Sequence, residues 1–575
     1  MTAMAVLIGG SASYASISTD SRMDKGVQKF VEAQKQNNQK RSVTLSSDLL
    51  GRRGGALKGK GALKYEINDA DVQKMKVVVH DVKVNNTPLA TVSGRYEYSP
   101  KSNQKVFWLN GSKVSESKYL EQADKRKKKY DRTRKAFKSA RIAYLTASEI
   151  EKELSSSDTK YISEYKEPQR NVSYGLNEFW NYTAILQKSG VTNYAHNQGF
   201  KGQGVGIHYN EGGCVPDGYL NNDYFVQWKL PCNEYSTHAI GVARILQTTA
   251  PQAMLYALQG TAGPNNPANF DTPILIGSNS WTFLVDFPEY APGDADMDNY
   301  IYENRVVEFV AAGNDGNNPN KVDMVPPPAR AYNAITVGAI SPADDKYVSY
   351  STSGNARSLS DKPEVANYTN FIFPDPTFSP KPDDVYNGYF NGTSAATPFM
   401  AGMTANLLSQ HPFLWWHPEV VKSVLIAGSN PVGNPDFDID GTADFEAGIP
   451  HYSNFSWNDA YRWSFWEGEN DCCFDANREI VFNEYSIQQG KRYRIAISWL
   501  NSGEYAIQHQ RNPQDLDLSV WQDGVRIANS NSAYNPFELV DFVAPSSSPL
   551  TIKIKRRYNL LATEKVILGY AFVTK

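Results

Sequence analysis

The chain has 575 residues, more than one hydrophobic core serves, so two to four domains are expected. Its 58 basic and 61 acidic residues leave a net charge of −3, which argues against nucleic acid or an anionic surface as a partner of the whole chain. Four cysteines do not make a disulfide scaffold, but they are compatible with a few bridges in an exported protein.

Ala3 to Ala15 is an apolar run too short to span a bilayer. With Ser13-Tyr14-Ala15 as a small-x-small cleavage site, residues 1–18 read as signal-like, although no positive n-region precedes them. No other stretch is long and apolar enough to cross a membrane as a helix, and a secreted or extracytoplasmic protein is expected. Residues 19–169 are polar and lysine-rich and read as a separate N-terminal domain. Strands are expected at Val77–Val84, Arg95–Tyr98 and Val106–Leu109, the last leading into an Asn110-Gly111 hairpin turn. Lys118 to Leu145 reads as one long helix carrying Lys125-Arg126-Lys127-Lys128-Lys129. Without aromatic stacking partners this is a solvated face or linker rather than a nucleic-acid site.

From residue 170 to 462 apolar strands, glycine turns and helices alternate, which predicts a doubly wound, mostly parallel sheet with functional residues at strand ends and in loops. Gly202–Gly213 reads as a turn, a buried strand and a glycine loop, Ile274–Trp281 and Asn333–Ala339 as strands, Val307–Gly316 as a strand breaking into a loop, and Tyr235–Leu246 as a capped helix with His238 in its first turn. From residue 463 to 575 the period shortens to two, predicting an antiparallel sandwich or jelly roll.

Asn391-Gly392-Thr393-Ser394-Ala395-Ala396-Thr397-Pro398 reads as a tight turn entering a buried helix, with Thr393 or Ser394 capping the first turn and Pro398 near enough the start to do little harm. Ser394 then sits at the positive end of a helix dipole, beside unpaired N–H groups, poised as a nucleophile. A serine needs a base, a carboxylate to orient the base and donors for the oxyanion. His238, Glu211 and Asn314 are the candidates, and the order acid, histidine, serine differs from that of chymotrypsin-like enzymes and α/β-hydrolases.

Gly392-Thr393-Ser394-Ala395-Ala396-Thr397-Pro398 resembles the nucleophile segment of the subtilisin-like serine peptidases. Thr237-His238 with Gly241 and Val242 resembles the family's histidine helix, with Tyr235 and Ser236 in place of its first two residues. Val310–Gly316 is similar to the oxyanion-asparagine segment, Ser280-Trp281 to the substrate-pairing strand, and Asn333–Ala339 and Lys362-Pro363-Glu364-Val365 to two further landmarks. Asp515-Leu516-Asp517-Leu518 resembles the jelly-roll domain that follows the catalytic domain in some members. The resemblance implies a serine endopeptidase, made as a precursor with an N-terminal prodomain as its own partner. It would take extended polypeptide as an added strand along Ser280, Trp281 and Thr282 and along Ala311, Ala312 and Gly313. It implies no cofactor for the chemistry.

Two departures stand out: Glu211 replaces the family's aspartate, and Thr282 its usual glycine. They motivate a rival reading, a subtilisin-shaped binding protein without turnover. The sandwich motivates another, a dibasic-specific processing protease. A solvent-facing Glu211 with Asp217 as the triad acid is the alternative at that position. Val310-Ala311-Ala312 and Met324–Pro328 point to an apolar P1 pocket. Asp436, Asp438 and Asp440, followed by Gly441, space oxygen ligands as calcium loops do. Four cysteines allow three pairings. A Cys214–Cys232 bridge would brace the segments of Glu211 and His238 and leave Cys472 beside Cys473.

Overall fold

A computed structural model describes residues 23, 27–34, 74–80, 89–99, 104–133, 141–155, 161–164, 169–170, 180–211, 213–215, 220, 222–227, 236–259, 272–283, 289–317, 325–354, 360–373, 388–432, 448–456, 461–469, 472–561 and 563–575. They form two compact units, one of residues 1–81 with 140–165, the other of residues 82–139 with 166–575.

In the first unit, strands Met75–His80, Arg141–Leu145 and Tyr161–Glu164 form an antiparallel sheet with Met75–His80 central. Helices 27–34 and Ala147–Leu154 contribute Val27, Val31, Ile150 and Leu154 to a core shared with Val77 and Ile162. Thr146 closes the start of the second helix with a capping box: its hydroxyl accepts the Glu149 N–H, and the Glu149 carboxylate accepts the Thr146 N–H.

The expected N-terminal domain, 19–169, is thus divided, because residues 82–139 belong to the second unit. The expected helix from Lys118 to Leu145 is corrected too. It runs Glu116–Thr133, and Arg141–Leu145 is a strand whose β-branched and aromatic residues pair with Met75–His80. Nor is the basic helix wholly solvated: Arg126 pairs with Glu467 and donates to the Trp416 carbonyl at 3.1 Å.

The second unit is built on a nine-stranded sheet in the order Phe225–Gln227, Met254–Gln259, Gly206–Glu211, Ile274–Asn279, Val307–Ala311, Ile335–Ile340, Val365–Tyr368, Gly448–Pro450, Ser429–Pro431. All pairs are parallel except the last. The apolar central strands are buried on both faces, as parallel strands under helices are. One face meets helices Thr237–Thr249 and Thr393–Gln410 in the largest core. On the other, Ile301 and Tyr302 of helix Pro292–Asn304 pack with Val310.

Beyond it lie two antiparallel sheets sharing a core of Tyr493, Ile495, Leu568 and Phe572 from one and Leu516, Leu518, Ile552 and Ile554 from the other, a β-sandwich. One joins Phe537–Val543, Arg492–Trp499, Val566–Thr574 and Tyr461–Gly468 to the N-terminal strands Val92–Ser99, Gln104–Leu109 and Ser112–Val114. The Asn110-Gly111 hairpin forms with both residues at positive φ, as its two-residue loop requires. Helix Pro418–Gly428 lies on this sheet. Gly569 permits the contact, since a Cβ there would come within 2.4 Å of the Glu419 backbone. Cys472 and Cys473 form a vicinal disulfide and Cys214 is disulfide-bonded, while Cys232 lies outside the described residues.

Candidate active site

Glu211 ends strand Gly206–Glu211 and is 4% exposed. Across from it helix Thr237–Thr249 begins, its Ser236 N-cap accepting the Ala239 N–H at 3.2 Å. His238, in the first turn, meets Glu211 through Nδ1 to Oε2 at 2.7 Å, and its Nε2 has no hydrogen-bond partner. The imidazole stands edge-on to Phe390 with centroids 5.3 Å apart. Gly241, one turn on, makes room for that phenyl ring, because a Cβ would lie 2.5 Å from it. The structure thus brings Glu211 and His238 together; Asp217 lies outside the described residues.

Ser394 is the second residue of helix Thr393–Gln410, wholly buried. The expected side-chain cap is absent, and Gly392 occupies the N-cap at φ 85°. Thr393 instead turns its hydroxyl and N–H to Asn314 Oδ1, at 3.1 and 3.0 Å, and accepts the Gly313 N–H at 3.2 Å. With Oδ1 so held, the Asn314 amide nitrogen is fixed in direction, buried and without a partner. The asparagine loop is pinned from its other side by Thr352, whose hydroxyl accepts the Asp315 N–H at 2.9 Å and whose N–H donates to the Gly313 carbonyl at 3.0 Å.

Pro398 lies inside this helix and removes the N–H that would serve the Ser394 carbonyl one turn back. The Ser280 hydroxyl supplies the missing donor at 3.1 Å, and the Ser394 hydroxyl donates to the Ser280 carbonyl at 3.1 Å. Serine helix and Ser280 segment are therefore latched reciprocally. The two helices meet where Gly402 lies against Thr249, whose carbonyl accepts from Asn406 at 2.8 Å.

Trp281 and Thr282 form a short buried strand paired antiparallel with Gln169–Arg170. Ala311 ends strand Val307–Ala311, Ala312 donates to the Val337 carbonyl at 3.1 Å, and Gly313 turns the chain at φ 99°. Sequence reasoning missed Thr352, Phe390 and the partner of Trp281-Thr282. No motif marks them, and only their positions after folding do. Asp436, Asp438 and Asp440 lie outside the described residues, as does Met324. Among the described residues, no group of three or more His, Cys, Asp or Glu is placed to hold a metal.

A serine at a helix start, a histidine–carboxylate pair and a loop asparagine at the ends of parallel strands describe a serine endopeptidase of the subtilisin-like class. Residues 242–448 match the model of the Subtilase family, a stretch that includes Asn314 and Ser394 and starts just after His238. Similar solved structures include fervidolysin from Fervidobacterium pennivorans, described as a keratinolytic enzyme related to subtilisin. It is 14% identical over 82% of this chain and 73% of that one, with a TM-score of 0.38. Another is the epidermin leader peptide processing serine protease from Staphylococcus aureus, 13% identical over 67% of this chain and 98% of that one, TM-score 0.37. The prenylagaramide maturation protease is 21% identical over 44% and 93%, TM-score 0.34.

Proposed function

We propose that this chain hydrolyses peptide bonds through an acyl-enzyme on Ser394. His238 Nε2 takes the hydroxyl proton as Ser394 attacks the carbonyl and returns it to the departing amine. Water then repeats the exchange and releases the new carboxylate. Glu211 holds His238 in the tautomer with Nδ1–H and stabilises its protonated form, and Asn314 donates to the oxyanion. The observation that carries this reading is the buried Glu211–His238 pair at 2.7 Å with Nε2 unpartnered, the arrangement a general base needs. A covalent probe for active serines tests it. Labelling lost in both Ser394→Ala and His238→Ala indicates an enzyme, whereas binding of polypeptide without labelling indicates the rival binding protein.

Substrate polypeptide adds as a strand along Trp281-Thr282, between the Ser280 and Ala311–Gly313 segments. The antiparallel pairing of the chain's own Gln169–Arg170 with that strand supports this, and it supports self-processing near residues 159–169. Full-length Ser394→Ala beside shortened wild type is the expected result, and identical N-termini refute it. Export, the role of the N-terminal domain as a prodomain and a jelly-roll description of the sandwich belong to the same reading. Among the described residues, no helix is long and apolar enough to cross a membrane. Structural calcium at Asp436, Asp438 and Asp440 rests on their spacing alone; a melting temperature indifferent to calcium, with no metal at that loop, ends it.

A further inference from the structure

Residues 82–139 leave the first unit and return to it in sequence, yet they are built into the second. Val92–Tyr98 pairs antiparallel along Glu467–Tyr461, in mid-sheet, with Gln104–Leu109 and Ser112–Val114 continuing outward. Without these strands Tyr461–Gly468 would be an exposed edge presenting unpaired backbone groups. The side chains are as deeply engaged. Tyr96, 1% exposed, packs against both Phe413 and Trp463, with ring centroids 4.3 and 5.4 Å away. Phe107 and Tyr119 pack against the same Phe413. Glu484, fully buried, is bonded by Arg95 from this segment at 2.7 Å and by Arg462 at 2.6 Å. Arg126 pairs with Glu467, which Arg305 also reaches at 3.2 Å. Gly94 lies so close to Phe465 that a Cβ would sit 2.2 Å from its ring.

We propose that residues 89–133 are a permanent structural part of the catalytic unit, and that one cut near residues 159–169 therefore leaves the first unit attached. Its residues 1–81 and 140–165 flank the retained segment on both sides. Freeing the first unit takes two further cuts, between Asp81 and Leu89 and between Thr133 and Arg141. Until then it stays tethered at the high effective concentration that a short linker imposes. The first processing event thus makes a nicked, two-chain molecule rather than a stripped enzyme. This consequence rests on the self-processing proposed above; the retention of residues 89–133 does not.

The test uses full-length Ser394→Ala, so that self-cleavage plays no part, with sites for a site-specific protease placed between Asp81 and Leu89 and between Thr133 and Arg141. After both cuts, the 89–133 fragment is expected to elute with the fragment that carries residues 166–575 and to separate only in denaturant. Elution of the small fragment alone under native conditions overturns the proposal. Hydrogen exchange on the uncut protein is a second readout that needs no inserted site. Val92–Tyr98 amides are expected to be as protected as those of Tyr461–Gly468, and exchange on the timescale of an unfolded chain overturns it equally. A wild-type chain that never shortens would instead count against self-processing alone.

Discussion

Strand Gly206–Glu211 carries members of two buried histidine–carboxylate pairs on opposite faces. On one face Glu211 Oε2 meets His238 Nδ1 at 2.7 Å; on the other His208 Nε2 meets Glu308 Oε1 at 2.6 Å. The chemistry is nearly the same and the settings are not. Glu211 lies at the strand's end, opposite the first turn of a helix packed against the serine helix. His208 and Glu308 lie within the sheet, on either side of Gly277, where a Cβ would come within 1.9 Å of the carboxylate and 2.3 Å of the imidazole. Glu308 Oε2 also accepts from Asn279 at 2.7 Å, and Asn279 donates to the Phe309 carbonyl at 3.1 Å. The second pair cross-links three strands beneath the segments that carry Glu211, Ser280 and Asn314. A buried histidine–carboxylate pair is therefore no catalytic signature in itself. On the reading proposed above, what sets the first pair apart is its place at a strand end beside the segments of Ser394 and Asn314.

The strongest way to break that comparison is to make the same substitution on both faces. Glu211→Gln is expected to lower kcat by ~10⁴, the scale for an amide in the orienting position, with little change in melting temperature. Near-normal turnover would remove Glu211 from the mechanism. Next in size is Asn314→Ala, expected to lower kcat by ~10²–10³ with KM little changed, since the donor acts on charge that develops only in the transition state. A change confined to KM would assign Asn314 to substrate binding instead. Glu308→Gln should show the reverse of Glu211→Gln. Kinetics should shift by no more than a few-fold. One buried donor of His208 or Asn279 is left without an acceptor, which costs about 1–3 kcal/mol of stability and shows as a lower melting temperature. A kcat loss matching that of Glu211→Gln would erase the distinction between the two faces.

How far this was readable from sequence depended on how local each feature is. Gly392–Pro398, Thr237-His238 and Val310–Gly316 are short strings whose backbone demands are met within themselves, and Glu211 follows from its place at the end of a strand. The Asn110-Gly111 hairpin was legible for the same reason: a two-residue loop dictates its own residues. Residues 82–139 were not. Arg95 finds Glu484 at a sequence separation of 389, and nothing near Val92 names Tyr461–Gly468 as its neighbour. Arg141–Leu145 reads from sequence as part of the preceding helix because its strand partner, Met75–His80, comes from a distant part of the chain. The Ser280–Ser394 latch was also hidden, since Pro398 advertises a missing donor and not which side chain replaces it.

Another buried carboxyl has no imidazole beside it, and its effect shows only as a dependence of stability on pH. Glu564 accepts the Ser502 N–H at 2.8 Å and bonds its hydroxyl at 2.7 Å. Burial pushes its pKa up to about 7. The Ser502 hydrogen bonds and Lys565 offset this in part, and Asp298 adds to the rise. Asp294 and Asp298, also buried, are raised to about 7 and about 6, first by burial. In the unfolded chain these groups ionise near 4, so between there and pH 7 the native state holds protons that the unfolded state has lost. Their contribution is present in full below the unfolded values and is lost as pH rises through the native ones. Glu467 acts in the other direction. Burial would raise it, but Arg126 and Arg305 hold it well below the usual range, so its contribution is lost on the acid side. Glu564→Gln keeps both bonds to Ser502, accepting the N–H and donating to the hydroxyl, and stays neutral at every pH. In the Ser394→Ala background, its melting temperature should match the parent near pH 3.5, below the unfolded value, where Glu564 is protonated in both states. It should exceed the parent near pH 8, by an amount that reflects on the order of a few kcal/mol. Parallel curves over that range would mean that Glu564 does not hold its proton in the folded protein, and would leave Asp294 and Asp298 to account for any alkaline loss of stability.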